Sequence, residues 1–407
     1  MARLNSNYQK LQGGYLTSQI SKKLREYKAN NPESKIIKLG IGDTTQPLTL
    51  SVVSALSSAV SDLSQKNTYT GYGDEHGSSK LREALSRFYS QRGVVLESDE
   101  IFISDGAKSD AANIQEIFAS DSIVAVQDPV YPVYVDSSVM HGLTGDMQDG
   151  KYKKLVYLAC TAENGFFPDL PDVQIDLIYF CNPNNPTGAV ATRDELQRLV
   201  DYAREREAII IYDAAYSAFI QDDSLPKSIY EIEGAAMCAI EISSFSKWAG
   251  FTGVRLGWTV VPKTLDVQDS KPGDTWNQWF RRQATMFNGA SNIAQAGGLA
   301  VLTNSGQQEA GGLIDYYMAN AKSIRVGLEK VGFTVYGGDN APYIWAKTPN
   351  GMNSWKFFDL FLEKVQVVCT PGSIFGPSGE GYFRLSAFGD QQETNEAIDR
   401  ITNNLKI

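Results

Sequence analysis

Apolar and polar positions alternate in blocks that name their own elements. Residues 18–27 carry a short amphipathic pattern, and residues 36–39 read as a strand running into a turn bounded by Gly40, Gly42 and Pro47. Residues 68–77 show neither helical nor strand period and read as a glycine-spaced aromatic loop. A helix follows, with Leu81, Ala84, Leu85 and Phe88 at i, i+3, i+4 and i+7, and Gly93 beyond its end. From Ile101 short apolar runs (101–103, 123–126, 175–181, 209–212, 237–242, 258–261) alternate with helical stretches. One such stretch spans 108–118. Another opens at Thr192 with Glu195 three residues on, a capping-box pattern, and puts Leu196, Leu199, Val200 and Ala203 on one face.

Short buried strands separated by helices predict an α/β fold, a mostly parallel sheet covered on both faces, whose ligands collect at the strands' carboxyl ends. Beyond about Ala294 the pattern changes. A long helix through Tyr317 and Ile324, strands at 333–336 and 343–346, a helix with Trp355, Phe358 and Leu362 inward, and a strand at 382–386 predict a smaller α+β unit. The expected division is 1–48 as an N-terminal arm and part of the small domain, 49–293 as the large domain, and 294–407 as the small C-terminal domain.

Composition narrows the chemistry. A formal net charge of -10 argues against nucleic acid or an anionic membrane as partner. No charged-then-apolar leader opens the chain and no apolar run approaches the ~18 residues of a spanning helix, so a cytoplasmic protein is expected. The four cysteines (Cys160, Cys181, Cys238, Cys369) are widely spaced and read as reduced core residues. With only His76 and His141 present, a histidine-based metal site or serine-histidine dyad has little to work with. No metal is expected.

Chemistry must then come from lysine, carboxylate, tyrosine or a cofactor. Lys247 stands in Ser243-Ser244-Phe245-Ser246-Lys247-Trp248-Ala249-Gly250, with Arg255 eight residues on. The hydroxyls of Ser244 and Ser246 and the guanidinium of Arg255 suit a dianion, and their positive field is expected to lower the amine's pKa. A solvated loop lysine is the plain alternative. Asp213 and Tyr216 fall where the run 209–212 ends, Asn185 lies in the rigid turn Asn182-Pro183-Asn184-Asn185-Pro186-Thr187-Gly188, and Ser104-Asp105-Gly106-Ala107-Lys108 joins a strand to a helix. First-turn amides at Ala107 and Lys108 suit a phosphate. Arg384 follows two aromatics in a strand, and its fork suits a carboxylate.

Taken together these segments resemble the class I/II, fold-type I, pyridoxal-phosphate-dependent aminotransferases: S-x-S-K with G-x-R-x-G, and N-P-x-N-P-T-G. That resemblance implies the fold, pyridoxal 5′-phosphate as cofactor, and amino-acid and 2-oxo-acid substrates. It assigns Lys247 to the imine with the cofactor, Asp213 to its pyridine nitrogen, Tyr216 and Asn185 to its ring oxygen, Tyr131 to stacking, and Ala107, Lys108, Ser244, Ser246 and Arg255 to its phosphate. Within the class, Gly40-Ile41-Gly42-Asp43-Thr44-Thr45-Gln46-Pro47 and Tyr69-Thr70-Gly71-Tyr72-Gly73-Asp74-Glu75-His76-Gly77 resemble the LL-diaminopimelate aminotransferase family, which usually has Gln where His76 stands. That implies a homodimer whose partner supplies Tyr72 to the phosphate and Glu75 and Asn288 to the substrate, alongside Tyr15, Gly42, Lys108, Tyr131, Asn185 and Arg384. The implied reaction converts LL-2,6-diaminopimelate and 2-oxoglutarate to tetrahydrodipicolinate and glutamate, on the lysine and peptidoglycan precursor route. An aminotransferase for aspartate, alanine or aromatic substrates, and a non-catalytic cofactor-binding regulator, are the alternatives.

Overall fold

Runs rich in Ile, Val, Tyr and Phe build a seven-stranded sheet in a computed structural model that describes residues 1–12 and 18–405. In spatial order the strands are Ile101–Ser104, Gly257–Val260, Ala239–Ser244, Ile209–Asp213, Leu177–Cys181, Val124–Asp128 and Val156–Ala159. Gly257–Val260 runs antiparallel to both its neighbours, and the other pairings are parallel. Every strand of this sheet except Val156–Ala159 is buried along its whole length, as a sheet covered on both faces requires. One face packs with Leu81, Leu85, Phe245 and Trp279, the other with Leu196, Leu199, Val200 and Ala203 of the helix Arg193–Glu205. Each of the leucine, valine and phenylalanine side chains contributes about 1.5–3 kcal/mol by leaving water.

A second sheet joins Val335–Gly337, Tyr343–Lys347, Tyr382–Ser386 and Thr370–Pro371, all antiparallel, around its own core of Ile344, Phe357, Phe361, Phe383 and Leu385. The N-terminal helix Ser18–Asn30 and strand Ile37–Lys38 belong to this core: Ile20, Ile37 and Leu39 pack in it, and Ile37 and Lys38 pair in parallel with Val367 and Val368.

Three elements differ from expectation. The strand expected at 237–242 begins at Ala239 and continues through Ser244, because Met237 closes a 3-10 turn while Ser243 and Ser244 pair with Trp258 and Gly257. The helix expected over 108–118 is α-helical for Ala107–Asn113 and tightens to 3-10 over Ile114–Ile117. The long helix from 294 is two helices, Asn292–Val301 and Asn304–Val331. Thr303 separates them, its Oγ1 accepting from the Gly306 amide at 3.1 Å, so a hydroxyl takes over where the helical ladder stops. The four cysteines are buried and free. Among the described residues no helix is long and apolar enough to cross a membrane.

Candidate active site

Four of the segments singled out in the sequence follow strands of the large sheet at their carboxyl ends, whereas Arg384 lies within the strand Tyr382–Ser386 of the smaller sheet. Leu177–Cys181 delivers the turn with Asn185, Ile209–Asp213 delivers Asp213, Ala239–Ser244 delivers Lys247, and Ile101–Ser104 delivers the helix beginning at Ala107. Together they line a cavity of about 620 Å³ that contains Gly42, Ala107, Lys108, Tyr131, Asn185, Asp213, Tyr216, Ser244, Ser246, Lys247, Arg255 and Arg384. Asn185, Asp213 and Lys247 share one space because parallel strands point their ends the same way, and Gly42 and Arg384 reach it from the smaller unit.

Lys247 lies in the single turn Phe245–Trp248, capped by Ser244, whose Oγ accepts from the Ser246 amide at 3.0 Å. Its ammonium donates to the Gly42 carbonyl. That close approach suits glycine at 42, since a Cβ there would sit 2.5 Å from the Tyr343 hydroxyl. The Lys247 pKa is lowered to about 8, first by burial, with the cations Arg384, Arg255 and Lys108 also lowering it and Asp43 raising it. The field expected from the sequence is present, but loss of water is the larger cause.

Arg255 stands beside Ser246, its Nη1 donating to the hydroxyl at 3.3 Å. Across from it, Gly106 has φ +129 and its backbone runs so close that a Cβ would lie 2.5 Å from Arg255 Nη2. The first helical turn after Gly106 and this guanidinium therefore face one small space.

Asp213 is buried and accepts from the Tyr134 hydroxyl at 2.5 Å and the Ala215 amide at 2.9 Å. Burial raises its pKa, and the two neutral donors only partly oppose that. Tyr216 shares a hydrogen bond with Tyr343 at 2.8 Å. Arg384 is 4 % exposed, donating to Asn185 Oδ1 at 2.5 Å and the Gly40 carbonyl at 2.7 Å, between the rings of Tyr343 and Phe375. Its Nε is buried without a hydrogen-bond partner, and no carboxylate pairs with it among the described residues.

Tyr72, Glu75 and Asn288 do not line this cavity. Tyr72 is 95 % exposed, Asn288 is exposed and Glu75 is partly so, on adjoining segments where Asn292 Nδ2 donates to the Gly71 carbonyl at 3.0 Å. Tyr15 lies outside the described residues. Sequence reasoning missed Tyr134, Tyr343, Phe375, Thr370 and Asp43, and it also missed Ile20, Ser21 and Leu24 of the N-terminal helix, all in the cavity wall. Tyr134 had a local signal, three residues after Tyr131 at helical spacing, whereas Tyr343 had none.

The family model described as aminotransferase class I and II matches residues 34–401. The LL-diaminopimelate aminotransferase of Parabacteroides distasonis is 52% identical, over 98% of this chain and 99% of the relative. That of Prochlorococcus marinus subsp. pastoris is 53% identical, over 99% and 100%. The solved structure of L,L-diaminopimelate aminotransferase from Chlamydomonas reinhardtii superposes with a TM-score of 0.93 at 49% identity, covering 98% of each chain.

Proposed function

Because this chain belongs to the class I and II aminotransferases, we propose that it transfers an amino group between LL-2,6-diaminopimelate and 2-oxoglutarate, giving tetrahydrodipicolinate and glutamate. The class works with pyridoxal 5′-phosphate, which, when bound, supplies an electron sink for charge developing at the substrate's α-carbon. The cavity fits such a group at three points. Asp213 is a buried acid with only neutral donors on it, a place that a protonated ring nitrogen would complete. Gly106 leaves room for an anion between the Ala107 turn and Arg255, with Ser244 and Ser246 alongside. Lys247 offers an amine with a pKa of about 8 between them.

The observation that carries an amino-acid substrate is Arg384. A buried guanidinium with a free Nε, no paired carboxylate among the described residues and a face on the cavity is a carboxylate receptor waiting for its anion. With the α-carboxylate held there, the α-carbon stands toward Lys247. With its pKa lowered to about 8, Lys247 Nζ releases its proton far more readily than an ordinary lysine amine, and as the free amine it takes and returns the α-proton. Asn185, already on Arg384, and Tyr216, held by Tyr343, fix the approach of the ring oxygen's side of the pocket. Gly42 and Tyr131 wall the substrate, and Lys108 serves both phosphate and distal carboxylate.

The same reading makes the enzyme a homodimer of the cytoplasm, with Tyr72, Glu75 and Asn288 completing the partner's pocket and Tyr15 closing the substrate side. Exposed Val53, Val60, Tyr69, Tyr72 and Met286 support it, because so much large apolar surface on neighbouring segments calls for a cover. The two separate cores support a large and a small domain, with residues 1–48 contributing to the small one. Ala294, Val301, Ala310, Ile314 and Tyr317 pack in the larger core, however, which favours a second boundary within the helix Asn304–Val331 in place of the one expected between 49–293 and 294–407. Amino-donor assays with 2-oxoglutarate test the substrate: glutamate forms from the LL isomer of diaminopimelate. Turnover of aspartate, alanine or an aromatic amino acid with none of the LL isomer overturns the reading.

A further inference from the structure

His76 sits where the surrounding loop has least reason to be rigid. The segment 68–77 has no regular structure, yet this one side chain is 5 % exposed and inserted among Phe102 (ring centroids 4.0 Å), Trp276 (5.7 Å) and Phe280 (5.8 Å). Its Nε2 is buried without a hydrogen-bond partner, so aromatic packing and not a polar contact of that nitrogen holds the ring. Burial, and then the Arg82 cation, lower its pKa to about 4 against Asp74 and Asp99, so the ring is uncharged at neutral pH.

The three rings belong to two different elements. Phe102 is in the strand Ile101–Ser104, which leads to the anion turn, and whose Ile103 amide donates to the His76 carbonyl at 3.1 Å. Trp276 and Phe280 are on the helix Asp274–Met286, which ends two residues before Asn288. His76 itself follows Glu75 directly. One ring therefore joins the backbone that carries Glu75 to the helix that leads into Asn288. Buried Gln295 makes a second tie, accepting from the Ser78 amide at 2.7 Å and donating to the Ala290 carbonyl at 3.0 Å. Arg82 makes a third, donating to the Gly77 carbonyl at 3.0 Å and pairing with Asp74 at 3.5 Å.

We propose that His76 is a positioning residue for the neighbouring subunit's pocket: its ring pins Glu75 and Asn288 into one rigid unit that reads the distal ammonium of a diamino-diacid substrate. The proposal rests on the dimeric LL-diaminopimelate reading above. Neither Glu75 nor Asn288 reaches this chain's own cavity, and neither is fixed by burial of its own side chain, so their spacing depends on what lies beneath them. A displacement of about 1 Å at a contact of this kind is worth up to roughly 100-fold.

Three variants separate ring packing from plain stability. His76→Phe keeps the stacking and is expected to behave as wild type. His76→Ala raises the KM for LL-diaminopimelate by roughly tenfold or more, with a smaller change in the KM for 2-oxoglutarate, which has no distal ammonium. His76→Val, for use should the alanine variant not fold, removes the ring with less loss of volume and shifts in the same direction. Doubly tagged hybrid dimers then locate the effect. A His76→Ala subunit paired with a Lys247→Ala subunit keeps a wild-type KM, since its one working pocket receives an intact loop. A wild-type subunit paired with Lys247→Ala/His76→Ala shows the raised KM. An unchanged KM in the alanine variant, or in the valine variant should alanine not fold, or a raised KM that follows the variant's own pocket, overturns the proposal. Failure of the substrate reading shows separately, as a wild-type dimer inactive on the LL isomer.

Discussion

At the scale of single residues, the site is a set of groups held in states they would not choose in water. Lys247 is the clearest. Its ordinary pKa of 10.5 falls to about 8, mainly through burial, so the folded protein carries a penalty for keeping this amine charged. That penalty is complete below pH 8 and disappears as the pH rises toward 10.5, because in that interval the unfolded chain holds the proton and the folded one does not. Cofactor-free Lys247→Met is therefore expected to be more stable than cofactor-free wild type at pH 7, by roughly 1–3 kcal/mol. Urea denaturation checks it: the gain shrinks between pH 8 and 10.5, and a variant less stable at pH 7 contradicts the assignment. Arg384 is a second case, a cation stripped of water whose compensation is a carbonyl, an amide oxygen and two ring faces. Such an arrangement makes sense as half of a pair whose other half is the substrate.

At the scale of elements, strand ends do the positioning and caps set where elements begin. The capping box at Thr192 is present as the sequence implied: the Thr192 amide donates to Glu195 Oε2 at 2.8 Å, and Thr192 Oγ1 accepts from the Glu195 amide at 3.3 Å. Thr192→Ala is expected to lower stability by about 1 kcal/mol with no change in turnover, since this helix end does not line the cavity. Paired denaturation and rate measurements decide it, and a fall in kcat contradicts it. The Thr303 break was not legible from periodicity, because the apolar spacing of 294–324 continues across it. Only the observed hydrogen bond from Gly306 shows that a threonine side chain replaces a helical acceptor there. The Ser243–Ser244 extension of its strand was hidden for a similar reason: hydroxyls do not read as strand, yet here pairing with Trp258 and Gly257 buries them.

At the scale of the whole molecule, the two cores meet at the cavity. Arg384 and Tyr343 come from the smaller sheet, while Asp213 and Lys247 come from the larger. The N-terminal helix adds Ile20, Ser21 and Leu24 to the wall, so a stretch far from Lys247 in sequence helps shape the pocket. Outside, Val53 and Val60 lie seven residues apart on one face of the helix Leu50–Asp62, both exposed. Val60→Glu is expected to weaken self-association by roughly 100-fold, the cost of desolvating a carboxylate in an apolar contact, and to lower activity in parallel. Sedimentation over a concentration series checks this. An unchanged association constant, or a wild-type chain that stays monomeric, contradicts the proposed dimer contact on this face.

The sequence by itself determined which short segments come together at the cavity, because each lies within a few residues of a strand end or inside one rigid turn: Lys247 between its serines, Asn185 between two prolines, Asp213 at the close of an isoleucine run. Local pattern is enough for such groups, since parallel strands bring their ends together whatever the connections between them. Only the tertiary structure decided what surrounds them. Tyr343 meets Tyr216 across 127 positions, Arg384 meets the Gly40 carbonyl across 344, and the ring of His76 finds three aromatics from two elements. Those contacts follow from packing between distant elements, and no spacing along the chain encodes a distance that exists only once two cores have closed on each other.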